Sequence, residues 1–228
     1  MDSEEIYDFL LEALIPQLEE RGRHWLQDSL SDPELYATLD RKMAAARRKV
    51  GVHSFDLSIP VSMLPLSHSY APPQRQQAGW ETIGQDVSDA ARGLLLLRCQ
   101  YGRSEPQELV KEAFRRGDEK ERCAIMKWLL LLDPRGSLTS LCVDTCRTNS
   151  LDLFSSIAVC NPYAYFFFSE PEFNQLVLKS LFLDLDISHI YGLKERINES
   201  LIQMCREFME ERKAAGRPVP GSIRLILS

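Results

Sequence analysis

Five side chains in the sequence have the type and setting for acid–base or nucleophilic chemistry: Asn174, Lys179, His24, His53 and His68. Lys179 lies among Leu178, Leu181 and Phe182. An amine there either snorkels to solvent or pairs with a carboxylate such as Glu172 or Glu211. A dry setting would instead lower its pKa and make it a base or a Schiff-base former. Asn174 opens the same apolar stretch, and an amide is costly to bury unless it is hydrogen-bonded. The two are separated by about 140° around a helix, so they cannot share a stripe. One should face a pocket while the other serves structure, and the uncharged Asn174 is the better tenant of a dry pocket. His53 and His68 fall in a proline-rich stretch with Asp56 and Tyr70 nearby. They are exposed loop imidazoles, or acid–base groups if that stretch folds over a pocket. His24 sits beside Trp25 as a further pocket candidate.

The binding candidates centre on Tyr163-Ala164-Tyr165-Phe166-Phe167-Phe168, the most aromatic run in the chain. Asn161-Pro162 closes one helix and Pro171 opens the next, so the run is a short connection between core helices. Its rings cannot all face inward, and Tyr163, Tyr165 and Phe167 are expected to wall a cavity. Asn161, Asn149 and Trp25 complete the expected substrate-binding set, although capping preference favours the two asparagines as helix caps. A wall of rings suits terpenoid or polyketide-like molecules, which bind through apolar area.

Other chemistries find no support in the pattern. There is no Gly-x-Ser-x-Gly, Walker loop, dinucleotide fingerprint or His-Glu-x-x-His. Asp184-Leu185-Asp186 resembles an aspartate-rich terpene-synthase motif only superficially and lacks a third carboxylate. Of the six cysteines only Cys142 and Cys146 are close, and no second pair or histidine stands at zinc spacing. The expectation is therefore no metal and no cofactor. A net charge of −6 argues against a general nucleic-acid binder. Arg47-Arg48-Lys49 is a local basic patch or the solvated end of a helix. The acidic N-terminus is unlike a signal peptide, no apolar run is long enough to span a bilayer, and the thiols read as reduced, so a cytoplasmic setting is expected.

The elements that must position these groups read as helices. Apolar residues recur at helical spacing in Ile6–Leu18, around Trp25, Leu26 and Leu30, and again in Leu35–Met43 up to Gly51. Helices are expected to resume at Trp80. Ser31-Asp32-Pro33-Glu34, Ser104-Glu105-Pro106-Gln107 and Ser169-Glu170-Pro171-Glu172 are cap-plus-proline starts. A short strand is plausible only at Val159 and at Ile223–Leu227. The expected fold is all-α, an array of antiparallel helices (α/α hairpins). Residues 1–50 form an N-terminal helical extension, 51–79 a proline-rich connector and 80–228 a helical core, packed as one globular unit.

The run Arg147-Thr148-Asn149, then Asn161-Pro162-Tyr163, then Phe173-Asn174-Gln175-Leu176-Val177-Leu178-Lys179-Ser180-Leu181-Phe182 resembles the EboA-domain family, as does the ending Glu211–Pro220. The resemblance covers Trp80 to Pro220, with Met1–Gln77 matching only loosely. It implies a role in specialised metabolism, where such proteins are associated with handling or export of precursors. It carries over no catalytic residues. Two functions follow as expectations. One is a cofactor-independent cyclase, isomerase or pericyclase acting on an apolar small molecule. The other is a non-catalytic carrier or scaffold for such a metabolite, with a second copy or a pathway protein as partner.

Overall fold

Helix ends are written locally in this chain, and the computed structural model shows most of them in use. The structure describes residues 3–59, 80–82 and 84–227; His68 and Tyr70 lie outside the described residues. Among these residues there are fourteen α-helices and one pair of two-residue strands, so the fold is all-α. The chain divides into two compact units, Met1–Cys142 and Val143–Ser228.

The first unit contains α1 (Ser3–Leu14), α2 (Glu20–Ser31), α3 (Leu35–Val50), α4 (Val87–Gln100), α5 (Pro106–Arg116), α6 (Glu119–Lys127) and α7 (Leu129–Leu132). Eleven of the fourteen residues of α4 are buried, which marks it as a central helix rather than a surface one. It packs against α1, α2, α3, α5, α6 and α7. Asp86 starts it, accepting from the backbone N–H groups of Ser88 (2.8 Å) and Asp89 (3.0 Å) in a capping box. Asp89 also pairs with Lys127 at 2.6 Å. Gly51 closes α3 with a φ of 93°, a conformation that favours glycine.

The strands are not where the sequence pointed. β1 (Ser58–Ile59) pairs antiparallel with β2 (Trp80–Glu81), Ile59 facing Trp80. Helix therefore resumes at Val87, where Asp86 caps, and not at Trp80. Thr82 holds the pair in place: its Oγ1 donates to Phe55 O and accepts from Leu57 N at 2.8 Å. The tail 223–227 is not a strand either. Ile223 and Ile226 are both buried, three residues apart, which is the spacing of one helical face, and Arg224–Leu227 forms a short helix. Val159 is extended but belongs to no strand.

The second unit begins within α8 (Thr139–Thr145) and continues through α9 (Leu151–Ala158), α10 (Tyr163–Phe167), α11 (Glu170–Phe182), α12 (Leu193–Arg196), α13 (Glu199–Ala214) and α14 (Arg224–Leu227). Ser169 and Glu172 make a capping box at the start of α11: Glu172 Oε2 accepts from Ser169 N at 2.8 Å and from Ser169 Oγ at 2.7 Å. Asn198 caps α13 by accepting from Leu201 N at 2.9 Å. Helix α11 packs on α9 and on α13, and α14 packs on α13.

Two predictions follow from the first unit. Trp128 is fully buried, its Nε1 donates to Gln85 Oε1 at 2.7 Å, and its ring meets Trp80 edge-on at 5.7 Å. A Cβ on Gly93 would overlap that pinned indole. Alanine gains up to about 1 kcal/mol in helix propensity, but overpacking costs about 1–3 kcal/mol. Gly93→Ala should therefore lower the urea midpoint; an unchanged or higher midpoint refutes the packing argument. Glu121 is buried, one of its carboxylate oxygens accepts from Asp118 N at 2.8 Å, and the other has no partner. Burial holds its pKa above the usual carboxylate range in the folded state. The associated stability is fully present below the unfolded-state pKa and is lost as pH rises through the folded one. The melting temperature of Glu121→Gln minus that of the wild type should therefore be more positive at mildly alkaline than at mildly acid pH. A difference that does not change with pH counts against it.

Candidate functional site

Asn161 joins the end of α9 to the start of α10. Its Nδ2 donates to Ser156 O at 2.8 Å and its Oδ1 accepts from Tyr163 N at 3.0 Å, with the side chain buried. The aromatic run that follows is a short helix. Tyr163 packs against Phe167 with ring centroids 4.8 Å apart, and Tyr165 meets Phe166 at 5.0 Å and Tyr191 at 5.5 Å. Gly192, at φ 68°, lies so close to the Tyr165 ring that a Cβ there would overlap it. Arg196 closes the carbonyl end of α10, donating to Tyr165 O (2.8 Å) and Phe168 O (2.9 Å) while its guanidinium lies 4.5 Å from the Phe173 ring centre. Tyr163 and Tyr165 are buried in these contacts.

Open space lies along one face of α11. A hollow of about 370 Å³ is walled by Val143, Phe154, Phe168, Pro171 and Leu176. Its polar lining is Cys146, Arg147, Glu172, Gln175 and Lys179. Lys179 is the fixed point. Its ammonium donates to Cys146 O at 2.6 Å and Thr148 O at 2.7 Å, and it lies 4.8 Å from the Phe154 ring centre. The partners of this amine are thus backbone carbonyls at the turn after α8, not the carboxylates of Glu172 or Glu211. Burial pushes the Cys146 thiol up to about 12, so it stays protonated and unreactive near neutral pH.

The residues expected from sequence are scattered. Lys179 lines the hollow; Tyr163, Tyr165, Phe167 and Asn161 are not in its lining. Asn174 is buried and exchanges two hydrogen bonds with Asn198, its Nδ2 donating at 3.1 Å and its Oδ1 accepting at 3.0 Å. It holds the cap residue of α13 in place. Asn149 is exposed, and the cap of α9 is Ser150, which accepts from Leu153 N at 3.2 Å. The first unit holds the exposed His24, the half-buried Trp25 and the exposed His53, whose Nε2 is 2.6 Å from Gln17 O. His68 is outside the described residues. The signal for the hollow was present but different in kind. Pro171, Gln175 and Lys179 recur every four residues, with Glu172 and Leu176 beside them, a stripe down one face of α11.

The fold is thus all-α, with a hollow along α11 lined by five apolar and five polar side chains. A family model described as "Metabolite traffic protein EboA" matches residues 6–227, and the chain belongs to the EboA family. The match takes in the N-terminal helices as well as the stretch from Trp80 to Pro220. No curated protein and no solved structure matches the chain. Among the described residues no helix is long and apolar enough to cross a membrane.

Removing the Asn174 amide takes two hydrogen bonds from the partly buried Asn198 and empties a buried position. Asn174→Ala should cost about 1–3 kcal/mol in urea unfolding while leaving the hollow able to take ligand. A variant as stable as the wild type would show that the amide pair carries no weight.

Proposed function

We propose that this EboA protein binds an apolar small metabolite in the hollow along α11 and handles it without converting it. The observation that carries the reading is the lining itself: five apolar side chains surround a cation whose amine is already bonded to two carbonyls. With two of its N–H groups held by those carbonyls, the amine is placed for structure and not for a role as base or Schiff-base former. The buried polar groups nearby, Asn161 and Asn174, are likewise engaged in structure. The volume fits the lower end of small-molecule pockets, about 300–1,000 Å³, and rings at Phe154 and Phe168 suit a terpenoid or polyketide-like body. The family's description as metabolite traffic supports a carrying role over turnover.

The test uses phenylnaphthylamine, a neutral apolar fluorophore of suitable size. It should bind the wild type with a blue-shifted, enhanced emission. Gln175 lines the hollow and is exposed, so Gln175→Trp can fill the space without disturbing the core. That variant should bind the probe at least about tenfold more weakly, a loss of about 1.4 kcal/mol. Equal affinity in a folded Gln175→Trp protein sinks the site. Product formed from a terpenoid or polyketide precursor, and lost in that variant, would replace carriage with a cyclase or isomerase reaction.

A further inference from the structure

The geometry points to a ligand that is not only apolar but carries a single oxyanion, such as a carboxylate, held by Arg147 and Lys179. This inference rests on the binding reading above and names the ligand class for the same hollow. The first observation is the charge of the lining. Two cations face one carboxylate, Glu172, in a chain whose net charge is −6. Glu172 is also already committed, because one of its oxygens accepts from both Ser169 N and Ser169 Oγ at the positive end of α11. The hollow around Tyr101 has the same balance, Arg103 and Arg135 against Asp133, but two others are reversed. The hollow beside Tyr36 sets Arg103 against three glutamates, and the one beside Pro220 sets Arg224 against two aspartates.

The second observation is that one of the two cations is free to change partner. The Arg147 side chain is 81% exposed and meets Asp144, itself 69% exposed, at 3.6 Å. Such an exposed pair is worth little and is easily exchanged. A guanidinium presents a planar fork of donors that matches an oxyanion two bonds at a time. Lys179 cannot swing out, because two of its three N–H groups hold Cys146 O and Thr148 O. Its charge stays at the floor, however, with the Phe154 ring on one side, and an apolar wall weakens the screening of that charge. The arrangement therefore offers a fixed cation below and a mobile cation at the side. The apolar side chains of the same lining are left for the ligand body.

The test compares two fluorophores that share one apolar body: neutral phenylnaphthylamine and anionic anilinonaphthalene sulfonate. At low salt the anionic probe should bind about tenfold tighter, the effect of one charge-assisted contact. The gap should narrow as sodium chloride is raised. Arg147→Gln should close most of the gap, and Lys179→Met the remainder. Lys179→Met may be read only if it folds, but Arg147 is on the surface, so that variant decides the matter by itself. Gln175→Trp should expel both probes, and an anionic probe that stays bound there is bound elsewhere and overturns the assignment. If the neutral probe binds and the anionic one binds no tighter, or if its advantage survives Arg147→Gln, the anion assignment fails while the binding reading stands. If neither probe binds, both fail.

Discussion

The second unit turns on one ammonium. Lys179 reaches from α11 to the two carbonyls at the turn that follows α8. Taking a charge out of water is costly unless its hydrogen bonds are restored in the protein. Charge-assisted bonds at 2.6 and 2.7 Å restore them. The same contacts satisfy carbonyls left over at a helix end, where no backbone donor remains. One residue therefore fixes the distance between α11 and the turn carrying Cys146 and Arg147. The hollow lies beside this tie. Ring and methyl groups supply its walls, but they have no directional preference of their own, and it is the lysine that sets where they stand.

A comparable division of labour holds in the first unit. Helix α4 is buried almost all round, so it gives up the polar face that surface helices keep. Its specificity comes from a few polar anchors instead: the Asp86–Asp89 capping box, the Asp89–Lys127 pair and the Trp128–Gln85 hydrogen bond. Arg92, 2% exposed within the same helix, donates through Nε to Met43 O at 3.1 Å. Apolar packing gives α4 its stability, and these bonds give it a register.

Helix starts and stops were legible because they are local. Ser169-Glu170-Pro171-Glu172 contains within four residues all that its capping box needs, and Gly51 needs only its own backbone freedom. The strand pair was not legible, because two residues are too few to show an alternating period and their partners lie more than twenty positions apart. The site divides in the same way. The helical angle separates Asn174 from Lys179, but which of them meets open space depends on Asn198, twenty-four residues further on. Nothing in the neighbourhood of Asn174 announces that partner. The aromatic run drew attention by its composition, yet of its six residues only Phe168 reaches the hollow. The wall-forming Phe154, Val143 and Leu176 are ordinary helix residues, and only packing singles them out.

The bond from Arg196 to the end of α10 has a consequence for the growing chain. A five-residue helix is far too short to persist in water, since nucleation costs more than so few turns return. Helix α10 must therefore wait for outside support, and Arg196, which takes up the carbonyls of Tyr165 and Phe168, comes some thirty residues later in synthesis. At about 5–20 residues per second, translation leaves a delay of seconds during which the aromatic rings have been made but not seated. Through that interval Phe168, a wall of the hollow, has no fixed backbone. The nascent chain thus carries an unseated aromatic segment before α10 has the support that holds it.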